Sequence, residues 1–149
     1  MKRMILGVAA LGLTGAVAAH GGAKPEDAVH YRQGIMMGMA WNVGPMGAMV
    51  KGDVDFDAGR FAFLAGRLAM LAPMSEEAFT PNTADTKSEA KPELWDNLDD
   101  FKQRMESLRK ETAGLAEVAK GGDEAAMKAA FGDTVKVCKG CHDEYQKEH

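Results

Sequence analysis

The chain is 149 residues long, which fits a single domain with one hydrophobic core. It carries 18 Lys and Arg residues against 22 Asp and Glu residues, and its formal net charge is −4 at pH 7. Because this acidic chain has no basic cluster interleaved with aromatic residues, we expect no nucleic-acid partner.

The amino-terminal stretch has the pattern of an export signal. Lys2 and Arg3 precede an apolar run from Met4 to Leu13, and small residues suited to cleavage follow. A membrane-spanning helix needs about 20 apolar residues, whereas this run is short and glycines interrupt the stretch. We therefore predict a cleaved signal peptide at residues 1–19 and a mature domain at residues 20–149. The mature domain is expected in the periplasm, without membrane insertion after signal removal.

The mature chain reads as all-α, because apolar residues recur at helical spacing in four stretches and no stretch alternates with a period of two. The first predicted helix runs from Pro25 to Val50, and Gly52 supplies its stop. Pro45 lies inside this helix, where a backbone donor would be needed, so we predict a kink near residues 40–44 rather than an end.

The second predicted helix begins at one of the aspartates in "DVDFD" and ends before Pro73. A long polar connection, "SEEAFTPNTADTKSEAK", follows. The third helix is predicted from Lys91 to the glycine pair at 121–122, and Asp123 caps a fourth that reaches Tyr145. Four amphipathic helices with two short connections and one long connection indicate an antiparallel four-helix bundle.

The fourth helix contains both cysteines of the chain, in the pattern C-x-x-C-H. Cys138 and Cys141 lie one helical turn apart, and His142 projects beside them. This spacing matches covalent attachment of a c-type haem, in which both thiols add to the vinyl groups and the histidine binds the iron.

Three other interpretations of this motif compete with haem attachment. A thioredoxin-like C-x-x-C follows a strand and begins a helix, whereas this motif lies deep within one. A structural zinc site needs about four ligands, and the other histidines are not at the required spacing. A disulfide or two buried thiols would leave His142 unexplained, so haem attachment is the interpretation that we carry forward. An exported compartment agrees with it.

The position of the motif leads to a family resemblance. Only seven residues follow His142, so any second axial ligand must come from upstream. The chain resembles the cytochrome c′ family of class II c-type cytochromes, which are four-helix bundles with C-x-x-C-H close to the carboxyl terminus. The resemblance covers nearly all of the mature chain, through "KPEDAVHYRQ", "VKG", "KPELW", "FKQ" and "AFGDTVKVCKGCHDEY" in the family's order.

The resemblance implies a role for seven residues around one haem c and its iron. Cys138 and Cys141 form the thioethers, and His142 is the proximal ligand. Arg32 and Gln33 contact the haem edge and propionates, Glu89 borders the haem, and Met36 covers the distal side of the iron. From sequence pattern alone, Arg32 would be a solvated surface arginine. Family members often carry a basic residue four positions after the ligand histidine, but this chain has Gln146 there.

The resemblance also implies the function. It indicates electron transfer with a redox partner protein, binding of a small gas such as NO or CO at a five-coordinate iron, or both. The alternative is a low-spin electron carrier similar to cytochrome c-556, with Met36 as sixth ligand. A third hypothesis is a haem gas sensor or scavenger that exchanges no electrons. We find no nucleophile–base pair and expect no enzyme; a homodimer through the first two helices is implied by the resemblance alone.

Overall fold

The computed structural model describes residues 24–148, so the predicted signal peptide at 1–19 lies outside the described residues. These residues form five α-helices: α1 (Pro25–Lys51), α2 (Ala58–Leu71), α3 (Glu93–Asp96), α4 (Leu98–Lys120) and α5 (Glu124–Tyr145). The four long helices form the predicted antiparallel bundle, in which α4 packs against α5 and α2, and α1 packs against α2. The all-α prediction is confirmed. Within residues 24–148, no helix is both long and apolar enough to cross a bilayer.

The predicted ends of the first helix are confirmed. The backbone N–H of Lys24 donates to the Asp27 carboxylate at 3.2 Å, and Pro25 occupies the first turn, where no backbone donor is needed. Gly52 ends the helix with φ 80°, a left-handed conformation that glycine adopts without steric cost. Pro45 lies within a continuous helix, as predicted, whereas the kink stays a prediction.

Aspartates begin two of the other long helices, also as predicted. The Asp57 carboxylate accepts from the N–H of Arg60 at 2.8 Å, and the Asp123 carboxylate accepts from the N–H of Ala126 at 2.7 Å. Each bond satisfies one of the donors that a helix start leaves unpaired. α2 ends at Leu71, shortly before Pro73 as predicted, and the chain continues as a 3₁₀ helix at Ala72–Glu76.

The third predicted helix is not continuous, which corrects the sequence prediction. It breaks at Asn97, with φ −126° and ψ 40°, between the short α3 and the long α4. The Asn97 side-chain amide donates to the Glu93 carbonyl at 2.8 Å, the acceptor that the backbone N–H of Asn97 would use in a continuous helix. That N–H bonds instead to the Leu94 carbonyl at 3.2 Å, so one turn tightens and the axis is interrupted.

The core of the bundle is built from aliphatic, aromatic and methionine side chains. Its largest fully buried apolar side chains are those of Met46, Phe61, Leu64, Leu68, Leu94, Met105, Leu115 and Met127. Burying each such side chain contributes about 1.5–3 kcal/mol. Flexible thioethers fill gaps between the helices, which agrees with a core role for these three methionines. Cys138 and Cys141 pack against the edge of this core, which fixes the side of α5 that faces the bundle.

Candidate functional site

The C-x-x-C-H motif occupies the last turns of α5, which ends at Tyr145. Cys138 and Cys141 form no disulfide and are partly buried, and this burial raises the pKa of each thiol. His142 is exposed overall, but partial burial of its ring still lowers its pKa. The lowered pKa favours the neutral imidazole, the state in which a ring nitrogen can bind a metal.

Two adjoining cavities open beside the motif, with volumes of about 490 and 480 Å³. Both are lined by Met36, Ala40, Cys141 and His142. The seven predicted residues all contribute to their walls: the first cavity adds Arg32, Gln33 and Glu89, and the second adds Cys138. The structure thus brings together residues that are more than 100 positions apart in the chain.

Arg32 is the most deeply buried charged residue of the site, with 3% of its surface exposed. Its guanidinium donates to the Ala78 carbonyl at 3.2 Å, to Thr83 Oγ1 at 2.8 Å and to Ser88 Oγ at 2.9 Å. Burial lowers the pKa of Arg32, but a guanidinium remains charged at any physiological pH. The surface position suggested by sequence pattern alone is therefore wrong, because the long connection folds over this side chain.

Aromatic rings complete the surroundings of Arg32. Its guanidinium carbon lies 4.5 Å from the ring centroid of Phe79 and 5.6 Å from that of Trp95. Both distances are within the range of cation–π attraction, which partly replaces the lost hydration of a buried cation. Phe79 comes from the connection that the sequence showed only as polar and irregular, so its role was missed.

A short clasp joins the long connection to the end of α5; we use this name for residues 88–91 paired with residues 143–147. Ala90 and Gln146 form an antiparallel bridge, the only one within residues 24–148. The N–H of Lys91 donates to the Tyr145 carbonyl, and the N–H of Lys147 donates to the Glu89 carbonyl, each at 2.9 Å. Glu89 is thus held at the cavity wall by its backbone.

Lysine side chains extend the clasp. Nζ of Lys91 donates to the Asp143 carbonyl and Nζ of Lys147 to the Ser88 carbonyl, both at 2.9 Å. Ser88 also accepts from Arg32 through its hydroxyl, so the clasp connects Arg32 with the helix that carries His142. The sequence contained no signal for this pairing beyond the family resemblance of Glu89.

Three further residues at the motif were missed by sequence reasoning. Arg104 lines the second cavity; its Nη1 donates to the Gly140 carbonyl at 3.0 Å and its Nε to the Asp100 carboxylate at 2.6 Å. The Tyr145 hydroxyl donates to the same carboxylate at 2.6 Å. Burial and this bond raise the pKa of Tyr145 to about 12, so the hydroxyl keeps its proton. The i, i+4 spacing of Asp100 and Arg104 was the one available signal.

The residues present fit a c-type haem. Two thiols one turn apart and a neutral imidazole supply the attachment and ligand chemistry that the cofactor requires. The cavities are largely apolar, as a porphyrin face demands, and the buried guanidinium of Arg32 lies at the wall of the first. A buried cation is suited to the carboxylates at the edge of a haem.

Comparison with known proteins agrees with this fit. A family model described as "Cytochrome C'" matches residues 27–146. Cytochrome c′ of Halomonas halodenitrificans is 39% identical over 132 residues, which cover 85% of this chain and 100% of the relative. Cytochrome c′ of Alcaligenes xylosoxydans is 38% identical over 126 residues, covering 85% and 98%, respectively.

Solved structures extend the similarity to the fold. Cytochrome c prime from Shewanella frigidimarina has a TM-score of 0.81 and 39% identity, covering 84% of this chain and 98% of that chain. The nitric oxide complex of a cytochrome c prime mutant from Alcaligenes xylosoxidans has a TM-score of 0.79 and 38% identity, covering 85% and 98%. This chain therefore belongs to the cytochrome c′ family and binds one covalently attached haem c with its iron.

Proposed function

We propose that this protein is a periplasmic haem-c protein that transfers electrons, binds nitric oxide, or does both, at a five-coordinate haem iron. The observation that carries the proposal is that Cys141 and His142 line the same two cavities as Met36 of α1. When bound, the haem supplies reversible one-electron redox chemistry and an iron that can bind a small diatomic ligand such as NO or CO.

In this proposal the motif holds the cofactor through three atoms. The sulfurs of Cys138 and Cys141 form the two thioether bonds, and a ring nitrogen of His142 binds the iron. Their shared location on the last turns of α5 supports this arrangement, since one rigid helix then fixes all three atoms at once. The lowered pKa of His142 favours the neutral imidazole that a ligand role requires.

Arg32 and Gln33 bind the haem propionates at the wall of the first cavity, and Glu89 borders the haem edge from the clasp. Support comes from the burial of Arg32, whose three hydrogen-bond acceptors are all neutral. Since none of them balances the positive charge, a carboxylate would stabilise the buried guanidinium more than a further neutral acceptor. The hydrogen bonds to the long connection hold the guanidinium fixed, so little side-chain entropy is lost when a carboxylate arrives.

Met36 covers the distal side of the iron without bonding to it, and this leaves the iron five-coordinate. The half-buried Met36 lines both cavities, so its thioether can restrict the space that a ligand must enter. A related protein of the same fold has been solved as a nitric oxide complex, which supports nitric oxide as the ligand. Small diatomic gases should pass this side chain more readily than bulky ligands.

The second candidate is a low-spin electron carrier similar to cytochrome c-556, in which the sulfur of Met36 is the sixth ligand. The same placement of Met36 favours it, because a thioether at the shared wall of both cavities is a suitable iron ligand. The two candidates differ in one bond, between the sulfur of Met36 and the iron.

Absorption spectra of the purified holoprotein test that bond. We expect a mainly high-spin ferrous spectrum in the wild type and in Met36→Ala, with faster nitric oxide binding in the variant because the obstruction is removed. Met39→Ala, which removes a methionine that lines only the second cavity, is the matched control. A sulfur-to-iron charge-transfer band in the oxidised wild type that disappears in Met36→Ala would establish the low-spin candidate instead.

Export through residues 1–19 is part of the proposal. The charged start, the apolar run and the small residues support it, and haem attachment to free thiols suits an exported compartment. The protein is proposed to act by redox change and gas binding rather than by catalysing a metabolic reaction. Mass spectrometry of the protein from a periplasmic extract should show haem plus a polypeptide that lacks the signal; a full-length polypeptide would contradict export with cleavage.

A homodimer through α1 and α2 completes the proposal. Two large apolar side chains one turn apart on α1, Met37 and Trp41, are 67% and 74% exposed. On α2, Phe63 and Met70 are 54% and 70% exposed and lie seven residues apart, on the same side of the helix. Exposed apolar side chains concentrated on two adjacent helices are typical of an interface, and a second copy offers a matching face.

Sedimentation velocity tests the dimer. We expect Trp41→Glu to convert the dimer into a monomer, because a carboxylate would be buried without a partner in the interface. Val118→Glu changes an exposed apolar residue on α4 and should leave the dimer intact. A wild-type monomer at micromolar concentration, or a dimer that survives Trp41→Glu, would contradict this arrangement.

A further inference from the structure

We propose that Arg104 is a positioning residue of the haem site, which fastens the C-x-x-C-H turn to α4 and raises the reduction potential of the iron by its fixed positive charge. The inference rests on the proposed function, in which His142 binds the iron. It concerns a residue on a different helix from the motif, for which neither the spacing of the cysteines nor the family resemblance gave a role.

The first line of evidence is the contact between Arg104 and the motif itself. Nη1 of Arg104 lies 3.0 Å from the carbonyl oxygen of Gly140, which stands between the two cysteines. Nε of the same guanidinium bonds to Asp100 at 2.6 Å, so two edges of the planar group are engaged and its orientation is fixed. The motif is therefore held from outside its own helix.

Tyr145 closes the network on the other side of His142. Its hydroxyl bonds to the Asp100 carboxylate at 2.6 Å, and the Arg104 guanidinium carbon lies 5.5 Å from the centroid of its ring. Tyr145 is buried and packs edge-on against Phe101, with centroids 6.1 Å apart. The chain is thus fastened to α4 before His142, at Gly140, and after it, at Tyr145, which limits rotation of the segment that carries the ligand.

The charges in the second cavity do not cancel at the motif. Besides Arg104, the charged residues that line it are Lys139 and Asp143, which pair with each other at 2.5 Å with 72% and 61% of their side chains exposed. Solvent screens such a pair, and its opposite charges offset each other. The side chain of Arg104 is only 33% exposed, and its partner Asp100 lines neither cavity. Among the charged residues that line the second cavity, Arg104 is therefore the least exposed to solvent screening.

This position explains a departure from the family pattern. Four residues after His142 the chain has neutral Gln146, where relatives often carry a basic residue. Gln146 lines the first cavity and Arg104 the second, so Arg104 does not occupy the same place. It supplies a cation near the ligand histidine from α4 instead, and a cation near the iron favours the reduced, less positive state.

Spectroelectrochemical titration of the purified holoprotein tests the inference. Arg104→Gln should lower the midpoint potential, shifting the equilibrium toward oxidised iron by roughly two- to fivefold once solvent screening is allowed for. Asp100→Asn, which removes the opposing charge, should shift it in the other direction. A merely structural role would not produce shifts of opposite sign. Arg104→Lys should stay near the wild type.

Arg109 provides the matched control, because it is an arginine on the same helix and its side chain is 32% exposed. It pairs with Glu76 and Glu106 and lines neither cavity. Arg109→Gln should leave the potential unchanged. Equal shifts in the two Arg→Gln variants, or shifts of the same sign in Arg104→Gln and Asp100→Asn, would overturn the inference. If Arg104→Gln yields no holoprotein, the other two variants decide: a raised potential in Asp100→Asn with a wild-type potential in Arg104→Lys supports the inference, and an unchanged or lowered potential in Asp100→Asn overturns it.

The haem content separates failure of this inference from failure of the proposed function. A pyridine haemochrome assay on each variant measures attached haem independently of the potential. Normal attached haem with unshifted potentials would reject the role of Arg104 and leave the proposed site standing. Wild-type protein without attached haem would reject the site itself.

Discussion

The two ends of the proposed haem site are built in opposite ways. The attachment end is local: Cys138, Cys141 and His142 lie within five residues of one helix. The end around Arg32 is assembled from α1 and the long connection, whose Ala78, Thr83 and Ser88 supply the acceptors. Covalent attachment requires a fixed short spacing, which a single helix provides, whereas enclosing a guanidinium requires groups from several directions. A local sequence motif therefore predicts the residues of the attachment end, whereas the acceptors around Arg32 are apparent only in the fold.

The largest expected effect breaks the local end. Replacing both Cys138 and Cys141 by alanine should abolish covalent haem, because no thiol remains to form a thioether. Extraction with acidified acetone should leave the haem on the wild-type polypeptide and remove any that the double variant binds. Release of haem from the wild type would contradict the attachment.

His142→Ala separates attachment from ligation at the same end. With both thiols intact, we expect some attached haem but a poor yield of an unstable protein, because the iron loses its proximal nitrogen. A normal reduced spectrum and yield from this variant would mean that another residue binds the iron.

The difference between the ends also explains what could be predicted from the sequence. Helix periodicity and the capping residues Asp57, Gly52 and Asp123 predicted the bundle, because those signals act within a few residues. The break at Asn97 was missed, since its side-chain amide competes for a carbonyl in a stretch that is otherwise strongly periodic. The clasp pairs residues more than 50 positions apart, and no local pattern encodes such a contact.

The site residues divide along the same line. Spacing and chemistry predicted the three members of the motif as site residues, whereas Arg32 was predicted only through the family resemblance, because an arginine on a helix is exposed in most proteins. Arg104 was missed by both routes. Its bond to the Gly140 carbonyl depends on how α4 packs against α5. The apolar stripes of the two helices predict that they pack together, but not their relative position to the precision that a hydrogen bond requires.

A third prediction weakens the assembled end. Arg32→Met should lower the free energy of unfolding of the holoprotein by about 1–3 kcal/mol, because buried acceptors lose their donor. Equilibrium urea unfolding measures the loss. Arg60→Met is the control, because Arg60 is exposed and its guanidinium carbon lies 5.3 Å from the ring centroid of Phe63. This variant should lower the free energy of unfolding by less than about 0.5 kcal/mol. Equal losses in the two variants would show that the enclosure of Arg32 adds no stability.

The smallest expected effect tests the link between the two ends. Ser88 accepts from Arg32 through its hydroxyl at 2.9 Å, while its carbonyl accepts from Lys147 in the clasp. Ser88→Ala keeps the carbonyl and removes the hydroxyl. It should lower the free energy of unfolding by about 1 kcal/mol, which is slightly less than the usual net value of a hydrogen bond to a charged group. Arg32 would retain two acceptors, which is why the loss should be smaller than for Arg32→Met.

Ser107→Ala is the matched control, because the Ser107 hydroxyl donates to the Gln103 carbonyl at 3.0 Å on the exposed side of α4 and contacts no part of the site. Its removal should change stability by less than about 0.5 kcal/mol. The decisive comparison is the double variant of Ser88→Ala with Arg32→Met. The hydroxyl accepts from Arg32 at 2.9 Å and, at the longer distance of 3.4 Å, from the Ala90 N–H. Since the shorter bond is to Arg32, the combined loss should fall short of the sum of the single losses by about 0.5 kcal/mol or more. Strict additivity would mean that Ser88 stabilises the clasp independently, and that the two ends of the site are joined by the backbone pairing alone.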